Sequence, residues 1–243
     1  MASLCFGFWP CCWDLWCWWL RSSAICALLV RQEAYETHSR FYRWLLNGAT
    51  AFSLRLLDIH VRCQGLEKLP EGRFLLVGNH RSNFDPIVTW YTLKECDLAF
   101  LSKEENFRIP IFGRIIRKCC FLPIDRQDHR KALTAINQAA ALLEGNQVSV
   151  GVYPEGTRSK EGVLLPFHNG VFKIAKKAGV PIVVVAVRGT ETIHKNYFRR
   201  PSYVSLEIAD VLPADYVAES RTADIGQRVR VSLEKALTDR KEA

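Results

Sequence analysis

From Asp58 to the C-terminus the chain alternates short, largely apolar runs with amphipathic ones, and that alternation narrows the available folds more than any other feature. Ile59, Val61 and Cys63 alternate with polar residues as on a half-buried strand. Residues 74–77, 98–101, 121–124, 148–153 and 182–187 are strand-length runs, and Val204, Leu206 and Ile208 alternate as on an edge strand. Between them, residues 87–94, 110–117, 129–143, 171–178 and 222–237 carry helical periodicity. Strands interleaved with helices predict an α/β fold, a mostly parallel sheet flanked by helices.

In such a sheet, polar groups that follow strands gather at one edge. Asn79-His80-Arg81-Ser82-Asn83-Phe84-Asp85-Pro86 follows the run 74–77 and precedes the helix 87–94. Five residues of ideal helix would set His80 and Asp85 roughly 140° apart, so they pair only if His80 lies in the turn and Asp85 opens the helix. Pro86 fits the first helical position with Asp85 just before it. On this stretch alone two readings stay open. Asp85 is a helix cap and His80 a loop residue, or Asp85 orients His80 as a base toward a substrate hydroxyl.

The other turns bear on that choice. Lys103 follows one strand, Arg126 the next, and Glu155-Gly156-Thr157-Arg158 the next. A base, a carboxylate and three cations around one crevice suit a phosphate-bearing substrate, because Arg meets phosphate oxygens bidentately. A tight turn at Glu155-Gly156-Thr157 would add backbone amides toward that anion. The net charge of +8 suits an anionic substrate or an anionic membrane. No nucleic-acid-binding signature is present, and the aromatics are not interleaved with basic residues as on a base-stacking platform. The 9 cysteines are odd in number and show no two-residue spacing, which predicts reduced, cytosol-facing thiols and no metal site. Cys119-Cys120 has no adjacent base and reads as core.

Residues 4–30 are rich in Trp, Cys, Leu and Phe, with Trp9, Trp13, Trp16, Trp18 and Trp19 close together. A spanning helix needs about 20 predominantly apolar residues, and Pro10, Asp14 and Arg21 interrupt this one. Tryptophan favours the headgroup level, so a helix lying in or dipping into one leaflet fits best, with a true span as the alternative. Ala34, His38, Phe41, Leu45, Ala49 and Phe52 then recur at helical spacing, with Arg40 and Arg43 off that face. This second helix either packs on the domain or completes a membrane anchor beside the first. The expected organisation is therefore an N-terminal pair of membrane-associating helices, residues 1–57, followed by a catalytic domain, residues 58–243. The run Lys195-Asn196-Tyr197-Phe198-Arg199-Arg200 is a solvated loop or a contact for anionic headgroups.

Asn79-His80 through Asp85 resembles the His-x4-Asp block of glycerolipid acyltransferases. Residues 121–126 resemble the second block, Tyr153-Pro154-Glu155-Gly156-Thr157-Arg158-Ser159 the third, and Val180-Pro181-Ile182-Val183 the start of the fourth. The blocks fall in the right order across about half of the chain, which resembles the 1-acyl-glycerol-3-phosphate acyltransferase (PlsC-like) family. Two positions depart from its pattern: Val184 stands where a second proline is frequent, and His168 where lysine is common. The resemblance implies transfer of an acyl group from a thioester, acyl-CoA or acyl-carrier protein, to a lysophospholipid hydroxyl, with no further cofactor. It implies His80 as base, Asp85 as its partner, and Glu155, Arg158 and Arg126 at the glycerol phosphate. It further implies a membrane-attached enzyme in phospholipid biosynthesis whose catalytic domain faces the cytoplasm. Other acceptors stay open: glycerol 3-phosphate, another lysophospholipid or a lyso-aminolipid. So do a hydrolase with water as acceptor and a lipid-binding module with vestigial blocks.

Overall fold

The structure is a computed structural model that describes residues 35–125, 128–159 and 162–238. The apolar segment 4–30 lies outside the described residues. Among those that are described, no helix is long and apolar enough to cross a membrane.

Seven strands form one sheet in the order β1-β7-β6-β2-β5-β3-β4. They are β1 (Ile59–Gln64), β2 (Leu75–Gly78), β3 (Leu98–Lys103), β4 (Leu122–Ile124), β5 (Ser149–Val152), β6 (Ile182–Arg188) and β7 (Ser202–Leu212). β6, β2, β5, β3 and β4 run parallel, whereas β7 is antiparallel to β6 and carries β1 parallel to itself. Every residue of β2 and β5 is buried, as expected of strands covered on both faces. β4 lies at one edge, where Pro123 forfeits no ladder bond to an outer neighbour.

β7 corrects the sequence expectation. It lies inside the sheet between β6 and β1, and β1 is the edge strand. The alternation of Val204, Leu206 and Ile208 reports one well-covered face and carries no information about neighbours in the plane of the sheet. The pairing that encloses β7 joins Ile59–Gln64 to residues 202–207, a contact too distant in sequence for local pattern to reveal.

The helices follow their periodicity closely. They are α1 (Arg40–Leu56), α2 (Asp85–Thr92), α3 (Phe112–Lys118), α4 (His129–Glu144), α5 (Lys173–Ala178), α6 (Ile193–Asn196), α7 (Ala214–Glu219) and α8 (Thr222–Thr238). α4 is capped by Asp128, whose side chain accepts from the amides of Arg130 and Lys131, and it buries Ala135, Ile136, Ala139, Leu142 and Leu143. The expected helix 171–178 divides into a 3-10 turn, Asn169–Phe172, and the shorter α5. α6 and α7, each under two turns, were not anticipated, because so few residues establish no period.

α1 packs on the domain through Leu45, Leu46 and Leu54. Arg43, expected off the apolar face, is 5% exposed. Its guanidinium donates to the carbonyls of Leu98 (2.9 Å), Asp97 (3.0 Å) and Cys119 (3.3 Å) and lies over the Trp90 ring. Three carbonyls left at the ends of other elements thus receive donors from one side chain, and burying the charge is offset by those bonds. Burial pushes the Arg43 pKa below its ordinary value. Phe41 and Trp44 remain exposed on the opposite side of α1.

Candidate active site

The site starts where β2 ends. Asn79 is buried, and its side chain donates to the Val187 carbonyl (2.9 Å) and accepts from the Val187 amide (2.8 Å). The amide side chain thereby continues the β2–β6 ladder one residue past the strand and frees the main chain to turn. His80 is the next residue, at the edge of the sheet.

The imidazole Nδ1 lies 2.8 Å from Asp85 Oδ2. The same oxygen accepts from the amides of Arg81 (2.6 Å) and Ser82 (2.7 Å). Asp85 is itself the first residue of α2 and Pro86 the second, one place later than the sequence suggested. The carboxylate therefore turns back over the preceding loop rather than onto the amides of its own helix. With Nδ1 held by Asp85, Nε2 is the ring nitrogen left for another partner. The Tyr153 ring stacks on the imidazole with centroids 4.6 Å apart and an interplanar angle of 22°. Burial, then the Asp85 charge, raises the Tyr153 phenol well above its ordinary pKa.

Glu155 is placed differently from Lys103 and Arg158. It is 3% exposed, Oε1 accepts from the His80 amide (2.7 Å) and Oε2 from the Leu165 amide (2.9 Å). Burial raises its pKa, against the lowering effect of those two amides. Its geometry is that of a brace beneath the His80 loop, and the Ser159 amide adds a bond to the His80 carbonyl (2.8 Å).

A groove of about 370 Å³ opens in front of the dyad. His80, Asn83, Lys103, Asn106, Gly156, Thr157 and Arg158 give it a polar side; Leu46 and Thr50 of α1, Ile87 and Trp90 of α2, and Phe100, Phe112, Ile116 and Phe121 give it an apolar one. Gly156 adopts φ +72°, a conformation that favours glycine, and this turns the chain so that Thr157 and Arg158 face the groove. The structure thus brings His80, Asp85, Lys103, Gly156, Thr157 and Arg158 to one edge, with Glu155 behind them. Arg126 lies outside the described residues. Among the described residues no group of three or more His, Cys, Asp or Glu side chains is arranged to hold a metal ion.

Sequence reasoning missed Asn79, Tyr153 and Thr190 as parts of this site. Thr190 Oγ1 donates to Asp85 Oδ1 at 2.5 Å. Each follows the end of a parallel strand, so the rule that found His80 and Lys103 would have found them if applied to β6 and to uncharged side chains.

A family model described as Acyltransferase matches residues 60–188. The chain is 39% identical to a chloroplastic 1-acyl-sn-glycerol-3-phosphate acyltransferase of Brassica napus over 54% of its own length and 38% of that relative's. It is 31% identical to a 1-acyl-sn-glycerol-3-phosphate acyltransferase of Chlamydomonas reinhardtii, over 82% of this chain and 61% of the relative. The chain therefore spans less than two thirds of either protein. The crystal structure of the 1-acyl-sn-glycerophosphate acyltransferase PlsC from Thermotoga maritima superposes with a TM-score of 0.69 at 25% identity, covering 93% of this chain and 90% of that one.

Proposed function

The chain belongs to the acyltransferase family, and from that premise we propose that it transfers a fatty acyl group from a thioester to the free sn-2 hydroxyl of 1-acyl-glycerol 3-phosphate, forming phosphatidic acid. One observation carries the reading: His80, its Nδ1 engaged by Asp85, lines the same groove as Lys103 and Arg158. A base and two cations beside an apolar wall match a substrate with a hydroxyl, a phosphate and an acyl chain.

In this mechanism Nε2 of His80 takes the proton from the acceptor hydroxyl while Asp85 holds the imidazolium. The alkoxide attacks the thioester carbonyl, and the tetrahedral intermediate collapses with departure of the thiolate. The imidazolium then returns its proton to the leaving sulfur, so no covalent enzyme intermediate forms. Lys103, Arg158 and the Gly156-Thr157 turn bind the phosphate, and Arg126 is assigned to the same group on the sequence match. Glu155 acts from behind, by holding the His80 amide.

The enzyme works at a membrane, with its catalytic domain on the cytoplasmic side and acyl-CoA or acyl-carrier protein as donor. Exposed Phe41 and Trp44 on α1, and Ile109, Ile111 and Phe112 beside the groove, support the membrane reading. So do exposed Phe198 and its neighbours Lys195, Arg199 and Arg200. The free thiols of Cys63, Cys96, Cys119 and Cys120 support a reducing compartment.

The test uses membranes containing wild type or His80→Ala, given a radiolabelled acyl thioester with lysophosphatidic acid, glycerol 3-phosphate, a neutral lysolipid or no acceptor. Label should enter phosphatidic acid only with wild type and lysophosphatidic acid. Label in a different lipid would change the acceptor; label released as fatty acid without acceptor, or no His80-dependent product, would refute the reading.

A further inference from the structure

The dyad accounts for only one of the two carboxylate oxygens of Asp85. Oδ2 takes the His80 ring and the amides of Arg81 and Ser82, whereas Oδ1 faces the hydroxyl of Thr190, 105 positions further along the chain. Both residues are fully buried, at 0% exposure. Thr190 falls beyond residues 60–188, the stretch matched by the family model, and outside all of the sequence blocks.

We propose that Thr190 is a positioning residue of the dyad, whose hydroxyl fixes the rotation of the Asp85 carboxylate and, through it, the His80 imidazole. The proposal rests on the acyl-transfer reading above and adds to it a residue from the turn after β6, the strand beside β2. The torsion of an aspartate carboxylate is broad and roughly two-fold, so bonds to one oxygen alone hold it loosely. A donor on Oδ1 closes that freedom. It also satisfies an oxygen that is sealed from solvent and whose charge would otherwise go uncompensated.

The local chain is built to deliver this hydroxyl. Gly189 adopts φ +86°, and a Cβ there would stand 2.4 Å from the Tyr203 carbonyl oxygen, so only glycine lets β6 end and turn at this point. Thr190 opens the 3-10 turn Thr190–Thr192, and the next residue, Glu191, approaches Arg81 at 3.9 Å. Two consecutive residues of the β6 turn thus grip the His80 turn, one at the carboxylate and one at the arginine beside it.

The experiment compares full-length Thr190→Val, which keeps the shape and removes the hydroxyl, with Thr190→Ser, which keeps the hydroxyl; Thr190→Ala serves as a second hydroxyl-free variant if valine impairs folding. Thr190→Val should lower kcat roughly ten- to hundredfold, from one buried oxygen left without its donor, with both KM values unchanged. The acid limb of its pH–rate profile should move to higher pH, because the deprotonated, net-negative dyad loses more from the missing donor than the protonated one does. Thr190→Ser should restore both. In an Asp85→Asn background, adding Thr190→Val should cost nothing further. A wild-type kcat and profile in Thr190→Val, a serine variant as impaired as valine, or a loss confined to KM would each overturn the proposal. A readout independent of turnover is the downfield proton resonance of the hydrogen-bonded His80 Nδ1, identified by its absence in His80→Ala. It should shift or vanish in Thr190→Val and persist in Thr190→Ser. An unchanged resonance would overturn the proposal, whereas a wild type inactive toward every acceptor would instead refute the acyl-transfer reading.

Discussion

The two sides of the polar end of the groove are built on opposite plans. Around His80, the polar atoms are already engaged: the ring by Asp85, the amide by Glu155, the carbonyl by the Ser159 amide, and Asp85 by donors on both oxygens. Elsewhere on the groove wall, Lys103 and Arg158 make no ion pair among the described residues, although they face the same space. A base must be held in one orientation before substrate arrives, so its surroundings are completed by the fold. Cations that bind a phosphate do the reverse, leaving their donors for the ligand and bringing little internal partnering to displace. The difference is the one the proposed roles require, a base that acts on the substrate and cations that hold it.

The comparison can be broken from either side. Asp85→Asn strikes the completed side, and acyl transfer should fall by roughly 10²- to 10⁴-fold with modest change in KM; retention of near-normal turnover would show that His80 needs no oriented partner. Arg158→Ala strikes the open side. It should raise the acceptor KM roughly ten- to hundredfold, the loss of a charge-assisted bond, while leaving thermal stability intact. A fall in kcat at constant KM would place Arg158 with the dyad instead. Glu155→Ala should act mainly on stability, because the buried amides of His80 and Leu165 lose their acceptor at about 1–3 kcal/mol each; a lower midpoint in chemical denaturation would report it. An unchanged midpoint with a raised acceptor KM would return Glu155 to the phosphate-binding side.

The smallest effect belongs to Cys119 and Cys120, outside both plans. Burial pushes their thiols up to about 12 and about 11. Folding therefore favours the protonated thiols, a contribution present at neutral pH and lost as pH rises toward those values. Neither should react with iodoacetamide in the native protein at neutral pH, and both should be labelled after unfolding. Rapid labelling of either in native protein, read by mass spectrometry, would contradict their place in the core.

Much of this site was legible because its residues sit at the ends of short apolar runs. His80, Lys103, Thr157 and Arg158 were found that way, and their shared groove follows from parallel strand direction. Glu155, expected at the phosphate, accepts instead from the amides of His80 and Leu165 behind the loop. A carboxylate in a strand-end turn looks the same in sequence whether it points into the groove or beneath the loop, and only the positions of the His80 and Leu165 amides distinguish the two. Arg43 is similar: helical spacing put it off the apolar face, yet carbonyls from Asp97, Leu98 and Cys119 converge on it. The membrane-associating helix expected over residues 4–30 lies outside the described residues.

By itself, then, the sequence determined the α/β class, the strands and long helices, and the edge on which the chemistry gathers. Those follow from periodicity and strand direction, which act over a few neighbouring residues. Tertiary structure alone decided that β7 is enclosed by β1, that Tyr153 stacks on His80, and that Thr190 completes the shell around Asp85. Each is a contact between segments far apart in the chain, and such a contact is specified by the joint packing of the whole domain rather than by any local pattern.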